Sequence, residues 1–119
     1  MNRDEIGPII GFLLVAFVLF STAAYRGWFD NDEVSKARFE TKLTHTTAAA
    51  ARQRFIHCND EKENCWGAID DDMWATSKKW SDAQSRYRKA FIDEWGYAVD
   101  ITGALASLVI GEPWYLKIP

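Results

Sequence analysis

Turn-forming residues are scarce in this 119-residue sequence, which contains three proline and seven glycine residues. A small all-β fold needs many tight turns, so this scarcity argues against such a fold and favours helices. Net charge is also low, at -3, with 26% charged and 48% hydrophobic residues. This balance excludes an intrinsically disordered chain and a basic nucleic-acid-binding protein. The length allows one small domain.

Sequence motifs for catalysis and for cofactor binding are missing as well. The chain has no glycine-rich phosphate loop, no His-Glu-x-x-His pattern, no calcium loop and no Cys-x-x-Cys-His haem attachment site. Only His45 and His57 could serve as the base for a nucleophile, and His45 lies in a Thr/Ala-rich helical stretch. We therefore predict that the protein is not an enzyme, and that it has no catalytic, cofactor-binding or metal-binding residues.

One long apolar run lies near the amino terminus. Residues 8–25 carry no charge, and as a helix they would extend about 27 Å, just enough to cross the hydrocarbon of a bilayer. The membrane-interface residues Tyr25, Arg26 and Trp28 follow, an aromatic and basic group typical of the lipid headgroup region. We predict an N-terminal tail and a single transmembrane helix over residues 1–29.

Two other interpretations of this apolar run are open. A cleaved secretory signal would suit the small residues Ser21, Thr22 and Ala23. A buried helix of a soluble core would suit the apolarity, although such helices rarely lack a polar face. Basic residues lie on both sides of the run, so the positive-inside rule does not decide its orientation.

Two helical patterns follow, separated by a polar loop, and predict an extramembrane antiparallel helical hairpin over residues 30–96. In the first, Asp30 is placed to cap the helix and Glu33 to complete a capping box, and the helix is expected to end near His57. Its less polar positions form a weak stripe at helical spacing: Val34, Ala37, Phe39, Leu43, Thr46, Thr47, Ala50, Phe55 and Ile56.

The second pattern is the clearest amphipathic stripe in the chain, and it ends near Gly96. Its less polar residues recur at three- and four-residue steps: Trp74, Ser77, Trp80, Ala83, Tyr87, Ala90, Phe91 and Trp95. Such an aromatic stripe is more often a packing surface than a pigment or cofactor site.

The last segment, residues 97–119, is apolar and rich in small residues. Its helical part, Ala98 to Ile110, is too short to cross a bilayer. We expect a short helix that lies on the membrane interface or docks against another subunit, followed by an extended aromatic tail. A second crossing is the weaker alternative, because Asp100 would need a partner within lipid. The predicted fold class is all-α.

Cys58 and Cys65 flank the polar loop between the two hairpin helices, where they can reach disulfide range. A disulfide here would stabilise the hairpin tip and would place it in an oxidising compartment. The alternative is a metal site at His57 and these two cysteines, with Asp60 or Glu61 as the fourth ligand. Adjacent histidine and cysteine side chains rarely reach one ion together, which favours the disulfide.

A domain of two long helices has little core of its own, so it needs partners to cover its apolar surface. We expect a non-catalytic, single-pass accessory subunit that stabilises a larger membrane complex of the respiratory or photosynthetic electron-transport kind. The membrane would be the mitochondrial inner or bacterial plasma membrane, with the C-terminal domain on the oxidising side.

The alternative function is a membrane-tethered regulatory binding protein, of phage or bacterial type, whose hairpin captures a partner outside the membrane. The expected partners are the membrane, other protein subunits and bound lipid, without nucleic acid. The predicted partner-binding residues are aromatic: Trp74, Trp80, Tyr87, Trp95, Trp114 and Tyr115.

Overall fold

The computed structural model describes residues 3–60, 65 and 67–119, and this part of the chain is all helical, without strands. It contains helices α1 (Arg3–Tyr25), α2 (Asp32–Asp60), α3 (Ala68–Trp95) and α4 (Tyr97–Ile110), followed by a 3₁₀ turn at Trp114–Leu116. The all-α prediction is confirmed. The molecule is elongated, with principal extents of 73 × 29 × 17 Å.

The apolar N-terminal run forms helix α1, as predicted. Within the described residues, α1 is the one helix long and apolar enough to cross a membrane. Nearly all of its apolar side chains are exposed, and burial begins only in its last two turns, at Ser21, Ala24 and Tyr25. The helix therefore presents lipid-compatible side chains along most of its length.

Helices α2 and α3 contact each other along their lengths. Near one end, Arg86 pairs with Glu40, and near the other Arg54 pairs with Asp72 at 2.7 Å. Between the backbones, the Thr41 hydroxyl donates to its own helix and lies 3.3 Å from the carbonyl of Ala83. As the residue number rises on α2, that of its partner falls on α3.

The predicted apolar stripe of α2 is right at Val34 but wrong at most of its other positions. Phe39 and Leu43 are 66% and 57% exposed, whereas the buried residues are mainly small or polar and recur at three-, four- and seven-residue spacings. These buried residues are Val34, Arg38, Thr41, Ala48, Ala51 and Cys58. Small side chains on α2 leave room for the rings of α3, and this complementarity decides which face is buried.

On α3 the aromatic stripe is largely confirmed. Trp80, Ala83, Tyr87 and Phe91 are buried, and their spacing of three, four and four residues places them on one face. Trp74, at the start of the predicted stripe, is 66% exposed. Among the aromatic residues of α3, burial therefore begins at Trp80, although the predicted stripe begins at Trp74.

The core lies where the end of α1 meets α2, α3, α4 and the 3₁₀ turn. Its buried members come from all five elements: Ala24, Tyr25, Val34, Tyr87, Phe91, Val99, Tyr115 and Leu116. The C-terminal tail is thus partly packed against the chain's own helices, with the indole of Trp80 donating to the carbonyl of Tyr115 at 2.9 Å.

Candidate functional site

The carboxyl end of α1 is closed by a glycine turn. The N–H of Gly27 donates to the carbonyl of Ala24, and that of Trp28 donates to the carbonyl of Ala23, both at 3.1 Å. Gly27 has a φ of +95°, a region that L side chains rarely adopt. These two bonds form a Schellman motif, which satisfies carbonyls left open at the end of a helix.

Arg38 of α2 completes this closure from the side. Its Nη1 donates to the carbonyl of Tyr25 at 3.0 Å, and its Nη2 to that of Ala24 at 3.3 Å. It also pairs with both carboxylate oxygens of Asp30, at 2.6 and 2.9 Å. A fifth bond joins Nη1 to the Tyr115 hydroxyl. We call these residues, Ala24, Tyr25, Asp30, Arg38 and Tyr115, the Arg38 junction.

All the hydrogen-bond donors of the Arg38 guanidinium are used within the junction. A guanidinium has five N–H donors, and the five bonds described above use that number. The side chain is only 5% exposed, and that of Asp30 only 9%. Arg38 therefore joins three segments of the chain and has no donor left for a substrate.

The junction also matches the electrostatics of its position. A positive charge at the carboxyl end of a helix is favoured by the helix dipole. Burial acts to lower the pKa of Arg38, but its hydrogen bond to Asp30 and the neighbouring Tyr87 and Tyr115 outweigh this and raise the pKa. The guanidinium also lies 4.8 Å from the centre of the Tyr87 ring. Arg38 thus stays charged although it is buried.

Burial raises the pKa of the Tyr87 hydroxyl, and the nearby Arg38 charge offsets only part of this rise. Desolvation disfavours the phenolate, so Tyr87 stays neutral well above its ordinary range. The junction therefore contains one buried ion pair, between Arg38 and Asp30, and the neutral ring of Tyr87 lies beside it.

Sequence reasoning missed the Arg38 junction. Asp30 was predicted to cap α2, but its carboxylate binds Arg38, and Asn31 caps the helix instead by accepting from the Val34 N–H at 2.8 Å. The signal that could have found Arg38 is its place between Val34 and Thr41, on a stripe of seven-residue spacing. An arginine at such a position needs a buried acidic partner.

The predicted membrane-interface residues lie at this same end of α1. Tyr25 is buried against Gly103 of α4, while Arg26 donates to the carbonyl of Gly111 at 2.7 Å. Trp28 is 76% exposed. Of the three, Trp28 is the residue free to meet a headgroup region.

The six predicted partner-binding aromatics divide into two groups. Trp80, Tyr87 and Tyr115 are buried within the chain, and the half-buried Trp95 packs edge-on against the Phe20 ring at 5.4 Å. Trp74 and Trp114 are 66% and 52% exposed. Trp114 also contacts the His45 ring edge-on at 5.1 Å. The two exposed indoles remain the predicted contacts with a partner.

Cys58 and Cys65 lie at disulfide distance, with their Cα atoms 5.7 Å apart. The alternative metal site used these sulfur atoms together with His57. Across the described residues, no group of three His, Cys, Asp or Glu residues is placed to hold a metal ion. The side chain of Asp60 and all of Glu61 lie outside the described part of the chain.

The described contacts therefore define a structural joint, built from side chains whose hydrogen bonds are made within the chain.

In the comparisons with known proteins, no family model matches this sequence, and no curated protein or solved structure matches it.

Proposed function

We propose that the protein is a non-catalytic, single-pass accessory subunit that stabilises a larger membrane complex. In this proposal α1 crosses the bilayer, and α2 and α3 form an antiparallel hairpin outside it. The falling order of the α2–α3 contacts, from Glu40 with Arg86 to Arg54 with Asp72, supports the hairpin. The apolar, exposed surface of α1 supports the crossing.

The observation that carries the proposal is apolar surface outside α1. Phe39 and Leu43 are exposed one turn apart on α2, and Trp74 is exposed on α3. Ile118 is 81% exposed in the tail. Large exposed apolar side chains on such an elongated protein are typical of a surface that a neighbouring protein covers.

The Arg38 junction supports a structural role as well. It fixes the end of α1 to α2 through a buried ion pair and two backbone carbonyls. The Arg38 junction fixes the chain's own helices to one another and does not bind a substrate, which suits a protein with a structural role. The cysteine pair supports placing the C-terminal domain on an oxidising side, because a persistent disulfide needs one.

Purification of the full chain in mild detergent tests this proposal. We expect other proteins to comigrate with it on a native gel at a fixed ratio, among them subunits of a respiratory or photosynthetic complex from a mitochondrial inner or bacterial plasma membrane. Recovery as a stable isolated monomer would contradict the accessory-subunit proposal.

A matched pair of variants locates the covered surface. Phe39→Ser combined with Leu43→Ser should reduce the comigrating proteins, because it removes exposed apolar contacts. Lys36→Ser changes an exposed polar residue of the same helix and should leave them unchanged. Equal retention in both samples would rule out this face as the contact.

A second candidate is the membrane-tethered regulatory binding protein. The observation in its favour is a groove between α2, α3 and the tail, lined mainly by Phe55, Ile56, Met73, Trp74 and Ile118. A regulator would bind one target reversibly, so dilution should release it. An accessory subunit should stay at a fixed ratio through the same dilution.

A further inference from the structure

Helix α4 turns its apolar side chains outward. Ile101, Leu105, Leu108 and Val109 are exposed, and the last two reach 82% and 87%. With Ile110 they form an aliphatic surface along the helix, which we call the outer face of α4. None of these side chains can form a hydrogen bond, so water is a poor solvent for this face.

Two polar residues of α4 lie on its inner side, as does the core residue Val99. Asp100 and Ser107 are buried. The Asp100 carboxylate accepts from Arg88 at 3.3 Å, and the Ser107 hydroxyl donates to the Gly103 carbonyl at 2.9 Å. A surface helix in water has the reverse arrangement, with polar residues outward. This inversion fits a helix whose outer surroundings are apolar.

Helix α4 is also held against the end of α1. Gly103 lies so close to Tyr25 that an added Cβ would come within 2.6 Å of the tyrosine Cβ. Arg26 reaches the carbonyl of Gly111, just after the end of α4. Both contacts place α4 beside the carboxyl end of α1, the helix whose earlier apolar side chains are exposed.

We propose that the outer face of α4 lies in the bilayer interface and contacts lipid acyl chains, which gives the chain a second, shallow membrane contact beside α1. This inference rests on the proposed membrane crossing by α1. Fourteen residues extend about 21 Å, too short to cross the hydrocarbon. An interfacial helix instead buries its apolar face about 5–10 Å deep.

Lipid suits this face better than a protein does. The outer face is aliphatic from Ile101 to Ile110, with the exposed Tyr97 one turn before it, and α4 packs beside the end of a helix that is itself apolar enough to cross a bilayer. Protein interfaces are enriched in aromatic residues and carry hydrogen bonds at their rims. The exposed Trp28 follows the end of α1, where an indole would be placed at the headgroup level.

Depth-dependent fluorescence quenching tests the inference on the full chain. Single cysteines are introduced as Leu108→Cys and Val109→Cys, with Leu14→Cys in the middle of α1 and Lys79→Cys on the exposed side of α3 as controls. Each is labelled with an environment-sensitive fluorophore under non-reducing conditions, and the unmodified chain measures background labelling. The proteins are reconstituted alone into phosphatidylcholine vesicles that contain nitroxide lipids.

We expect the probes at positions 108 and 109 to lose fluorescence mainly to a nitroxide placed near the headgroup. The probe at position 14 should lose it mainly to a nitroxide at the chain end, and the probe at position 79 should keep its fluorescence. Two labelled positions on α4, each checked for wild-type melting, guard against a local folding defect.

Other outcomes overturn the inference in distinguishable ways. If only the position 14 probe is quenched by lipid, α4 does not contact acyl chains, while the membrane-anchored function stands. If the α4 probes are shielded from a water-soluble quencher but not quenched by nitroxide lipids, the face contacts a second copy of the chain. If the position 14 probe also escapes lipid quenching, α1 does not cross the bilayer and both proposals fail.

Discussion

Arg38 and Asp30 form a bidentate pair, with 2.6 and 2.9 Å between their nitrogen and oxygen atoms, directly beneath the last carbonyls of α1. Eight residues separate them in the sequence, and the start of α2 lies between them. This ion pair therefore links the segment between α1 and α2 to the start of α2.

Replacing Arg38 with methionine should destabilise the fold by about 3–5 kcal/mol, because Asp30 would remain buried without its partner. The matched control is Arg86→Met, which breaks the exposed pair with Glu40 and should cost about 0–1 kcal/mol. Thermal unfolding in detergent, followed by circular dichroism, measures both changes. Similar losses in the two variants would show that the junction does not dominate stability.

Replacing Gly103 with alanine should separate α4 from α1, because the new methyl group would meet Tyr25. Overpacking of this kind costs about 1–3 kcal/mol. The control Gly11→Ala adds the same group to α1 where no atom lies within 4 Å, and it should leave the unfolding temperature unchanged or raise it. Unchanged melting of the Gly103 variant would argue against the α1–α4 contact.

Replacing Ser21 with alanine should stabilise the protein. The Ser21 hydroxyl is buried, and no hydrogen-bond partner for it exists among the described residues. An unsatisfied buried hydroxyl costs about 1–3 kcal/mol, so its removal should raise the unfolding free energy by about 1 kcal/mol. In the control Ser107→Ala the lost hydroxyl has a partner in the Gly103 carbonyl, so no gain is expected. A destabilised Ser21 variant would contradict this prediction.

Tyr87 should make the fold sensitive to alkaline pH. Its pKa is raised on folding from an ordinary value of 10.0, chiefly by burial. The folded state therefore holds this proton more tightly, and the stabilisation is complete below pH 10.0 and decreases as the pH rises further.

In Tyr87→Phe this alkaline loss should be smaller than in the wild type, because the titrating hydroxyl is gone. Tyr97→Phe, which removes an exposed tyrosine hydroxyl, should follow the wild-type profile. Unfolding free energies measured from neutral to strongly alkaline pH compare the three proteins. Parallel profiles for all three would contradict the role of Tyr87.

The cysteine pair should contribute about 2–3 kcal/mol, as expected for a disulfide that closes such a short loop. Cys65→Ser should therefore melt at a lower temperature than the wild type under oxidising conditions. Under reducing conditions the two should melt together. Identical melting in both conditions would show that no stabilising disulfide forms.

The sequence was sufficient to predict the helices, because their apolar patterns and breaks are local. The two hairpin helices were expected to end near His57 and near Gly96, and α2 and α3 end at Asp60 and Trp95. The cysteine spacing likewise predicted a pair at disulfide distance, since Cys58 lies in the last turn of α2 and Cys65 lies three residues before α3.

The packed face of α2 could not be predicted from apolarity alone. Phe39 and Leu43 are more hydrophobic than Arg38 and Thr41, yet the latter pair is buried. Arg38 is buried because partners distant in the sequence, such as Tyr115, converge on it. The polarity of the α2 side chains alone therefore does not predict which of them are buried. Burial on α2 also depends on the aromatic rings of α3 that pack against it.

The closed connection between α1 and α2 has a mechanical consequence. Because Arg38 bonds the last carbonyls of α1, the two helices should tilt together, and under the proposed membrane crossing the bend between them would lie at the membrane surface. A change in bilayer thickness that tilts α1 would then swing the far end of the 29-residue α2 through a much larger arc. Under the same proposal, the cysteine pair near that end would be displaced farther than the Arg38 junction.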